Sequence, residues 1–144
     1  MTKILSYHND KTLKADLVSE MEMHLKNDDL IKGTYEKTNG RFRACAVGCA
    51  VQSLNVKRGL ALAHNDHAAL AQASGVPEWL YRLADTLFEN LPEPSNQKFA
   101  VDYLKAIPVG VNIDPVKWKF CAFILKENIV RVLALKIDDK LKEQ

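Results

Sequence analysis

The segment "RFRACAVGCAVQSLN", residues 41–55, restricts the fold more than any other part of the sequence. Two arginines precede a run of small and apolar residues, which contains Cys45 and Cys49 four positions apart. Residues four apart lie above one another on one face of an α-helix. A helix over about residues 42–54 would be apolar on nearly every side, so we expect it to be buried.

Helical spacing of apolar residues continues on both sides of this segment. Asp10 is a candidate N-cap for a first helix, whose apolar face contains Leu13, Leu17 and Met21. Asp66 is a candidate cap for a later short helix. Near the end of the chain, residues 129–137 could be a strand, since they are rich in β-branched residues, but an apolar stripe at helical spacing favours a helix.

Together these segments predict an all-α fold. The expected architecture is a compact bundle of five to seven helices that forms one domain over residues 1–144. Asn39-Gly40 is typical of a type I′ turn, so a short β-hairpin near residues 33–43 is one interpretation of that region and an irregular loop is the other.

The composition is that of an ordinary globular protein. Hydrophobic residues make up 47% and charged residues 26% of the 144 residues. No apolar run reaches the roughly 20 residues of a membrane-spanning helix, and the first residues lack the pattern of a secretory signal. Three cysteines do not suggest a set of disulfides. We therefore expect a cytoplasmic protein that has reduced thiols, binds no membrane and needs no cofactor.

Positive charge is concentrated around the opening segment. Residues 30–60 have a net charge of +5, whereas residues 1–29 have −2 and residues 61–144 have −1. A basic face of this kind can bind an anionic protein surface or a phosphate-bearing ligand. Nucleic acid is a weaker alternative, because the isoelectric point is only about 8.4. The predicted binding residues are Lys32, Lys37, Arg41, Arg43, Lys57 and Arg58.

Cys45 and Cys49 allow three interpretations. Cysteine is commonly a small buried residue, so helix packing is the first. A thiol-dependent enzyme is the second, with Cys45 or Cys49 as nucleophile, His67 as base and Asp66 orienting the base. Structural zinc is the third, held by Cys45, Cys49 and His67 with one further ligand, although the spacing does not match a zinc finger.

Two other groups of residues have simpler interpretations. Asp85 and Glu89 lie four apart on a predicted amphipathic helix and are expected to be solvated. Trp118 and Phe123 lie in a strongly apolar predicted helix, where we expect core positions, and Cys121 of the same helix should be unreactive. Part of that helix could instead form a contact in a homo-oligomer.

Over roughly residues 31–92, the sequence resembles a family of small bacterial and phage-associated proteins without assigned activity. The family pattern is C-A-V-G-C, then D-H, then G-[IV]-P-x-x-L with F-E-x-L-P, and Gln52 stands where relatives often have histidine. This resemblance implies that Cys45, Cys49, Asp66 and His67 form one connected set, but it implies no reaction. The matching residues of the third motif are Gly75, Pro77, Leu80, Asp85, Phe88, Glu89, Leu91 and Pro92.

From the sequence, the favoured function is that of a small binding or regulatory module of phage or prophage origin. Its basic central face, residues 30–60, would contact an anionic partner. The thiol-dependent enzyme and the zinc protein are the alternatives, and an enzyme is the less favoured class.

Overall fold

The computed structural model describes the backbone of residues 3–142 and the side chains of residues 3–135. Over these residues the chain forms six α-helices and no β-strand, which confirms the predicted all-α bundle. None of the described helices is both long and apolar enough to cross a membrane. The helices are α1 (Lys11–Lys26), α2 (Ala46–Arg58), α3 (His67–Ser74), α4 (Glu78–Asn90), α5 (Ser95–Ala106) and α6 (Val116–Lys142).

Helix α1 begins where the sequence indicates. The Asp10 side chain accepts a 2.7 Å hydrogen bond from the Thr12 backbone N–H, which is a typical N-cap contact. The predicted apolar face is buried through Leu13, Leu17 and Met21. This face packs against α2 and α5.

Helix α2 is buried as predicted, but it starts later than residue 42 or 43. Arg43 exchanges two backbone hydrogen bonds with Lys37, at 2.8 and 2.9 Å, and this pairing keeps it out of the helix. At Gly48 the helix lies so close to the preceding loop that a Cβ atom would be 2.1 Å from the carbonyl oxygen of Tyr35. Glycine at this position therefore permits the contact between loop and helix.

The region near residues 33–43 is an irregular loop with one bridge, between Lys37 and Arg43. This pair encloses residues 38–42, whereas a type I′ hairpin turn encloses two residues. Gly40 has a positive φ of 86°, and Asn39 does not share it. The predicted type I′ turn is therefore wrong, and the loop interpretation is confirmed.

Helices α3 and α4 follow their local signals. Asp66 caps α3 through a 2.8 Å hydrogen bond from the Ala69 backbone N–H, and Gly75 ends the helix with a positive φ of 71°. Helix α4 then presents Tyr81 and Phe88 to the core, where both are fully buried. It packs against α2, α3 and α5.

Ser6 joins the start of the described chain to the segment after α5. Its backbone N–H donates to the Val111 carbonyl and its carbonyl accepts from the Gly110 N–H, both at 2.9 Å. Its hydroxyl also donates to the Pro108 carbonyl. The beginning and the end of this part of the chain are thus held together by backbone pairing.

The contacts divide the chain into two compact units, Met1–Asn112 and Ile113–Gln144. The prediction of one domain over residues 1–144 stays a prediction. In the second unit, residues 129–137 are helical and α6 is unbroken at Asn128. Trp118 is 72% and Phe123 57% exposed, so the expected core positions of these two residues are wrong. Cys121, which was expected to be unreactive, is exposed.

Candidate functional site

Cys45 lies where the loop enters α2, next to two carboxylates of α4. It is the N-cap residue of α2, it is only 2% exposed, and its backbone N–H donates to the Thr34 carbonyl at 2.7 Å. Its Sγ atom and carboxylate oxygens of Asp85 and Glu89 all lie within 4.8 Å of one another. One thiol and two carboxylates are therefore gathered at the contact between loop, α2 and α4.

Within this group, Asp85 contacts two further side chains, those of Tyr35 and His67. Its Oδ2 accepts a 2.6 Å hydrogen bond from the Tyr35 hydroxyl and lies 3.3 Å from Nε2 of His67. Its Oδ1 is buried and has no hydrogen-bond partner in the described structure. One oxygen is thus fixed by two neighbours, while the other is left unsatisfied.

Glu89 is held by the loop, and His67, the neighbour of Asp85, lies at the start of α3. Both Glu89 carboxylate oxygens accept from the Gly33 backbone N–H, at 3.1 and 3.0 Å. The His67 side chain is only 7% exposed and meets the Tyr35 ring edge-on, with centroids 5.6 Å apart. Its Nδ1 faces the Asn65 carbonyl at 3.2 Å, so both ring nitrogens face oxygen atoms.

Burial makes both thiols of α2 weak acids. Desolvation, with a further contribution from the nearby Asp85, raises the pKa of Cys45 to about 12. Desolvation and then the Cys45 charge raise the pKa of Cys49 well above its usual value. A nucleophilic cysteine needs the thiolate, so this environment disfavours covalent catalysis by either residue at neutral pH.

The sequence-predicted thiol set is only partly brought together. Cys45 and His67 both border Asp85, which the sequence did not place with them. The Cys49 thiol instead donates to the Ala44 carbonyl at 3.6 Å. Asp66 uses its carboxylate as the cap of α3 rather than as a partner of the His67 ring.

His64 belongs to another cluster, apart from Cys45 and Asp85. Its Nε2 lies 2.9 Å from Oε1 of Gln52 and its Nδ1 lies 3.1 Å from Glu36. Its ring centroid is 5.2 Å from that of Phe42, whose other neighbour is the His24 ring at 5.8 Å. The three rings therefore form a row, and His64 joins it to Gln52 in the middle of α2.

Arg41 and Arg43 extend towards the end of α1. Arg41 donates to the Asp28 carbonyl at 2.7 Å and lies 3.5 Å from Oδ1 of Asp29. Arg43 donates to the same carbonyl at 3.1 Å and to the Asp28 carboxylate at 3.2 Å. The two guanidinium groups are therefore partly neutralised within the chain.

Lys57 and Arg58 lie at the opposite end of α2. Lys57 pairs with Glu20 at 2.9 Å, and Arg58 pairs with Asp16 at 2.8 Å. A helix of 13 residues is about 20 Å long, so these two charges are distant from the two arginines that precede the helix.

The two lysines of the loop differ from each other. The Lys32 ammonium group donates to the Leu91 carbonyl at the end of α4. The Lys37 side chain has no partner among the described residues. Lys37 is also a backbone partner of Arg43, so it lies beside the two arginines, whereas Lys57 and Arg58 are at the other end of α2.

A cavity of about 510 Å³ lies between α1, α2 and the loop. Arg41 and Phe42 border it from the loop, and the Arg41 side chain is 53% exposed. The His24 ring borders it from α1, with Nδ1 on Asp29 at 3.1 Å and a buried Nε2 that has no partner in the described structure. This volume is within the usual range for small-molecule sites.

Sequence reasoning missed Tyr35 and the roles of Asp85 and Glu89. Asp85 was expected to be solvated, yet its side chain is only 16% exposed. The sequence did contain a signal for the burial of Asp85. Asp85 lies one helical turn after Tyr81 and directly after Ala84, and both of these residues are buried. Its partners could not be read from that signal, since Tyr35 is 50 residues away.

No family model, curated protein or solved structure matches the chain.

Proposed function

We propose that this protein is a small binding module and that it binds a phosphate-bearing small molecule in the cavity between α1 and α2. The observation that carries the proposal is that the half-exposed Arg41 and the Phe42 ring both border this cavity. A guanidinium group presents several donors in a plane that suits phosphate oxygens, and a ring can stack on a planar ligand.

The charges around the cavity favour one anionic group over a large acidic surface. Glu20 is compensated by Lys57, and Asp29 lies beside both His24 and Arg41. With Lys57 counted against Glu20 and Arg41 against Asp29, these charges sum to zero, so Arg41 would recognise a phosphate through its directed N–H donors and not through an excess of positive charge. Such a site supports recognition of a compact phosphate better than attraction of an extended anionic protein face.

The buried Nε2 of His24 supports a ligand with a polar ring. A buried polar atom without a hydrogen bond costs about 1–3 kcal/mol. If Nδ1 donates its proton to Asp29, Nε2 is an acceptor, and a small ring movement that uncovers it would let it accept from a ligand N–H or O–H group. The proposed ligand class is therefore a planar, polar molecule with a phosphate, as in a nucleotide.

The raised thiol pKa values and the burial of Cys45 and Cys49 favour a binding role over a thiol-dependent enzyme. We place the protein in the cytoplasm on the ground of its free cysteines. A phage or prophage origin rests on the resemblance of residues 31–92.

Calorimetric titration with adenosine monophosphate, with adenosine as the matched ligand without phosphate, tests the proposal. We expect adenosine to bind at least about 10-fold more weakly, which corresponds to about 1.4 kcal/mol. Arg41→Glu should weaken the nucleotide by a similar factor and leave adenosine little changed. Arg82→Glu is the control, because Arg82 pairs with Glu78 on α4 and does not border the cavity.

Equal binding of the two ligands, or no effect of Arg41→Glu on the nucleotide, would contradict the proposal. Equal losses in Arg41→Glu and Arg82→Glu would show a general charge effect and contradict it as well. Circular dichroism of both variants verifies that the helices are retained.

A further inference from the structure

Cys45, Asp85 and Glu89 form a second cluster, away from the cavity between α1 and α2. None of the three borders that cavity. Their ligand atoms come from two different elements, the N-cap of α2 and the C-terminal half of α4, and lie within 4.8 Å of one another. Glu89 and Asp85 lie four apart on α4, so their carboxylates share one face of the helix.

The cluster contains a group that needs a partner. Oδ2 of Asp85 accepts a hydrogen bond from Tyr35, whereas Oδ1 is buried and has no partner among the nitrogen and oxygen donors of the described residues. The buried thiol of Cys45 interacts with the Asp85 carboxylate, but a neutral thiol is a weak donor and satisfies a carboxylate only in part. Two neighbouring carboxylates also repel each other unless a positive charge lies between them.

We propose that Cys45, Asp85 and Glu89 bind a divalent transition-metal ion of the zinc type. The sulfur ligand selects such an ion over magnesium or calcium, which prefer oxygen ligands alone. Three protein ligands leave a fourth position of the tetrahedron for solvent. The ligand set differs from the sequence-based zinc hypothesis, in which Cys49 and His67 accompanied Cys45.

The distances permit this with small movements. Zinc lies about 2.0–2.3 Å from sulfur and oxygen ligands, so ligand atoms in a tetrahedron are roughly 3.3–3.8 Å apart. The ligand atoms lie within 4.8 Å of one another, so at most about 1.5 Å of contraction would bring them to these separations.

Tyr35 and His67 are positioning residues in this proposal. Both contact Oδ2 of Asp85, which leaves Oδ1 as the oxygen that would bind the metal. Hydrogen bonds of this kind fix the orientation of a metal-bound carboxylate, and their loss typically lowers metal affinity about 10–100-fold. The metal would thus be supported by the loop and by α3 as well.

Binding requires one proton to leave. The S–H bond of Cys45 breaks, its proton goes to solvent, and the sulfur lone pair forms the bond to the metal. Asp85 and Glu89 contribute oxygen lone pairs as carboxylates. The balance is one metal ion bound and one proton released per chain, with no change in oxidation state.

Titration of the chelator-treated protein with Co²⁺ is the direct test. Sulfur–cobalt bonding gives a near-ultraviolet charge-transfer absorption, and a pH indicator in weak buffer measures the proton released. We expect one Co²⁺ and about one proton per chain, and displacement of cobalt by Zn²⁺. Cys45→Ser should abolish the absorption, and Asp85→Asn should weaken binding at least about 10-fold.

Cys49→Ser and Cys121→Ser are the matched controls, because each removes a thiol outside the cluster, and both should bind as the original protein does. If Cys45→Ser fails to fold by circular dichroism, Glu89→Gln and Tyr35→Phe replace it, each with an expected loss of about 10-fold. Absence of the absorption, its persistence in Cys45→Ser, or its loss in Cys121→Ser would overturn the proposal. None of these outcomes depends on the nucleotide cavity.

Discussion

The hydroxyl group of Tyr35 donates a 2.6 Å hydrogen bond to Oδ2 of Asp85, and this contact joins the loop before α2 to the middle of α4. The two residues are 50 positions apart, so the bond exists only in the folded chain. The carboxylate and the loss of water around the hydroxyl raise the pKa of Tyr35 well above its usual value. The phenol is therefore held as a donor at all ordinary pH values.

Tyr35→Phe removes this donor and retains the ring. We expect the free energy of unfolding of the metal-free protein to fall by about 1–2 kcal/mol, since the bond is to a charged group that is partly exposed. Urea denaturation of Tyr35→Phe, Asp85→Asn and the double variant measures the coupling. Additive effects in the three variants would show that the bond contributes nothing.

Gly48→Ala should destabilise the protein severely. The new Cβ atom would lie 2.1 Å from the Tyr35 carbonyl oxygen, which is backbone and cannot turn aside. We expect a loss of at least about 3 kcal/mol in urea denaturation. Gly59→Ala is the control: its φ is 63°, no atom lies within 4 Å of the new Cβ, and the expected loss is about 1–2 kcal/mol. A smaller loss for Gly48→Ala than for Gly59→Ala would contradict the close contact.

Alkylation should distinguish the three cysteines. Cys121 is exposed, whereas Cys45 and Cys49 are buried. In native, metal-free protein at neutral pH, iodoacetamide should modify Cys121 first and the other two only after unfolding, because both access and thiolate formation are restricted there. Peptide mass spectrometry over time gives the order. Modification of Cys45 at the rate of Cys121 would show that the site is open.

Stability should decline above about pH 10. Tyr7 is fully buried, its hydroxyl donates to the Leu104 carbonyl at 2.8 Å, and desolvation, then Tyr81, raises its pKa far above 10. The unfolded chain ionises near pH 10 but the native chain does not, so stability is complete below that pH and is lost as the pH rises.

One such tyrosine costs about 1.4 kcal/mol at pH 11. Urea denaturation of Tyr7→Phe at pH 8 and pH 11 should therefore show a smaller decline than the original protein shows. Tyr7→Phe also loses its hydrogen bond at both pH values, which leaves the difference between them unaffected. An equal decline in both proteins would mean that Tyr7 ionises in the native state.

A chain that ends at Asn112 should fold without α6. Residues 3–112 contain the buried faces of α1 to α5, and Ser6 pairs with Val111 within the same unit. We expect cooperative urea unfolding and native near-ultraviolet circular dichroism. Gradual unfolding with no tertiary signal would contradict the assignment of an independent core to this unit.

The sequence predicted well those features of the fold that depend on neighbouring residues only. The caps at Asp10 and Asp66 depend on groups two and three residues away, and the α1 stripe depends on helical period alone. The start of α2 was placed too early because its apolar run begins before the helix does. Pairing of Arg43 with Lys37 decides that boundary, and no local pattern reports it.

The candidate site was less predictable for the same reason. Cys45 was singled out by its neighbours in sequence, but its partners Asp85 and Glu89 lie on another helix. The exposure of Trp118 and Phe123 was also missed, since an apolar sequence does not distinguish a core helix from an interfacial one. Composition indicates burial on average, whereas the position of each element depends on distant contacts.

The pairing of Ser6 with Val111 has a consequence for the order of the helices. Because the first and last residues of the segment 3–112 lie close together, the two ends of this unit can be joined, which is the condition for a circular permutation. A short peptide linking residue 112 to residue 3 would allow the chain ends to be moved, for example to the exposed junction between Gly59 and Leu60. The five helices would then occur in a different order along the chain but would keep the same neighbours in the fold. The contacts between the helices, more than their order along the chain, therefore define this unit.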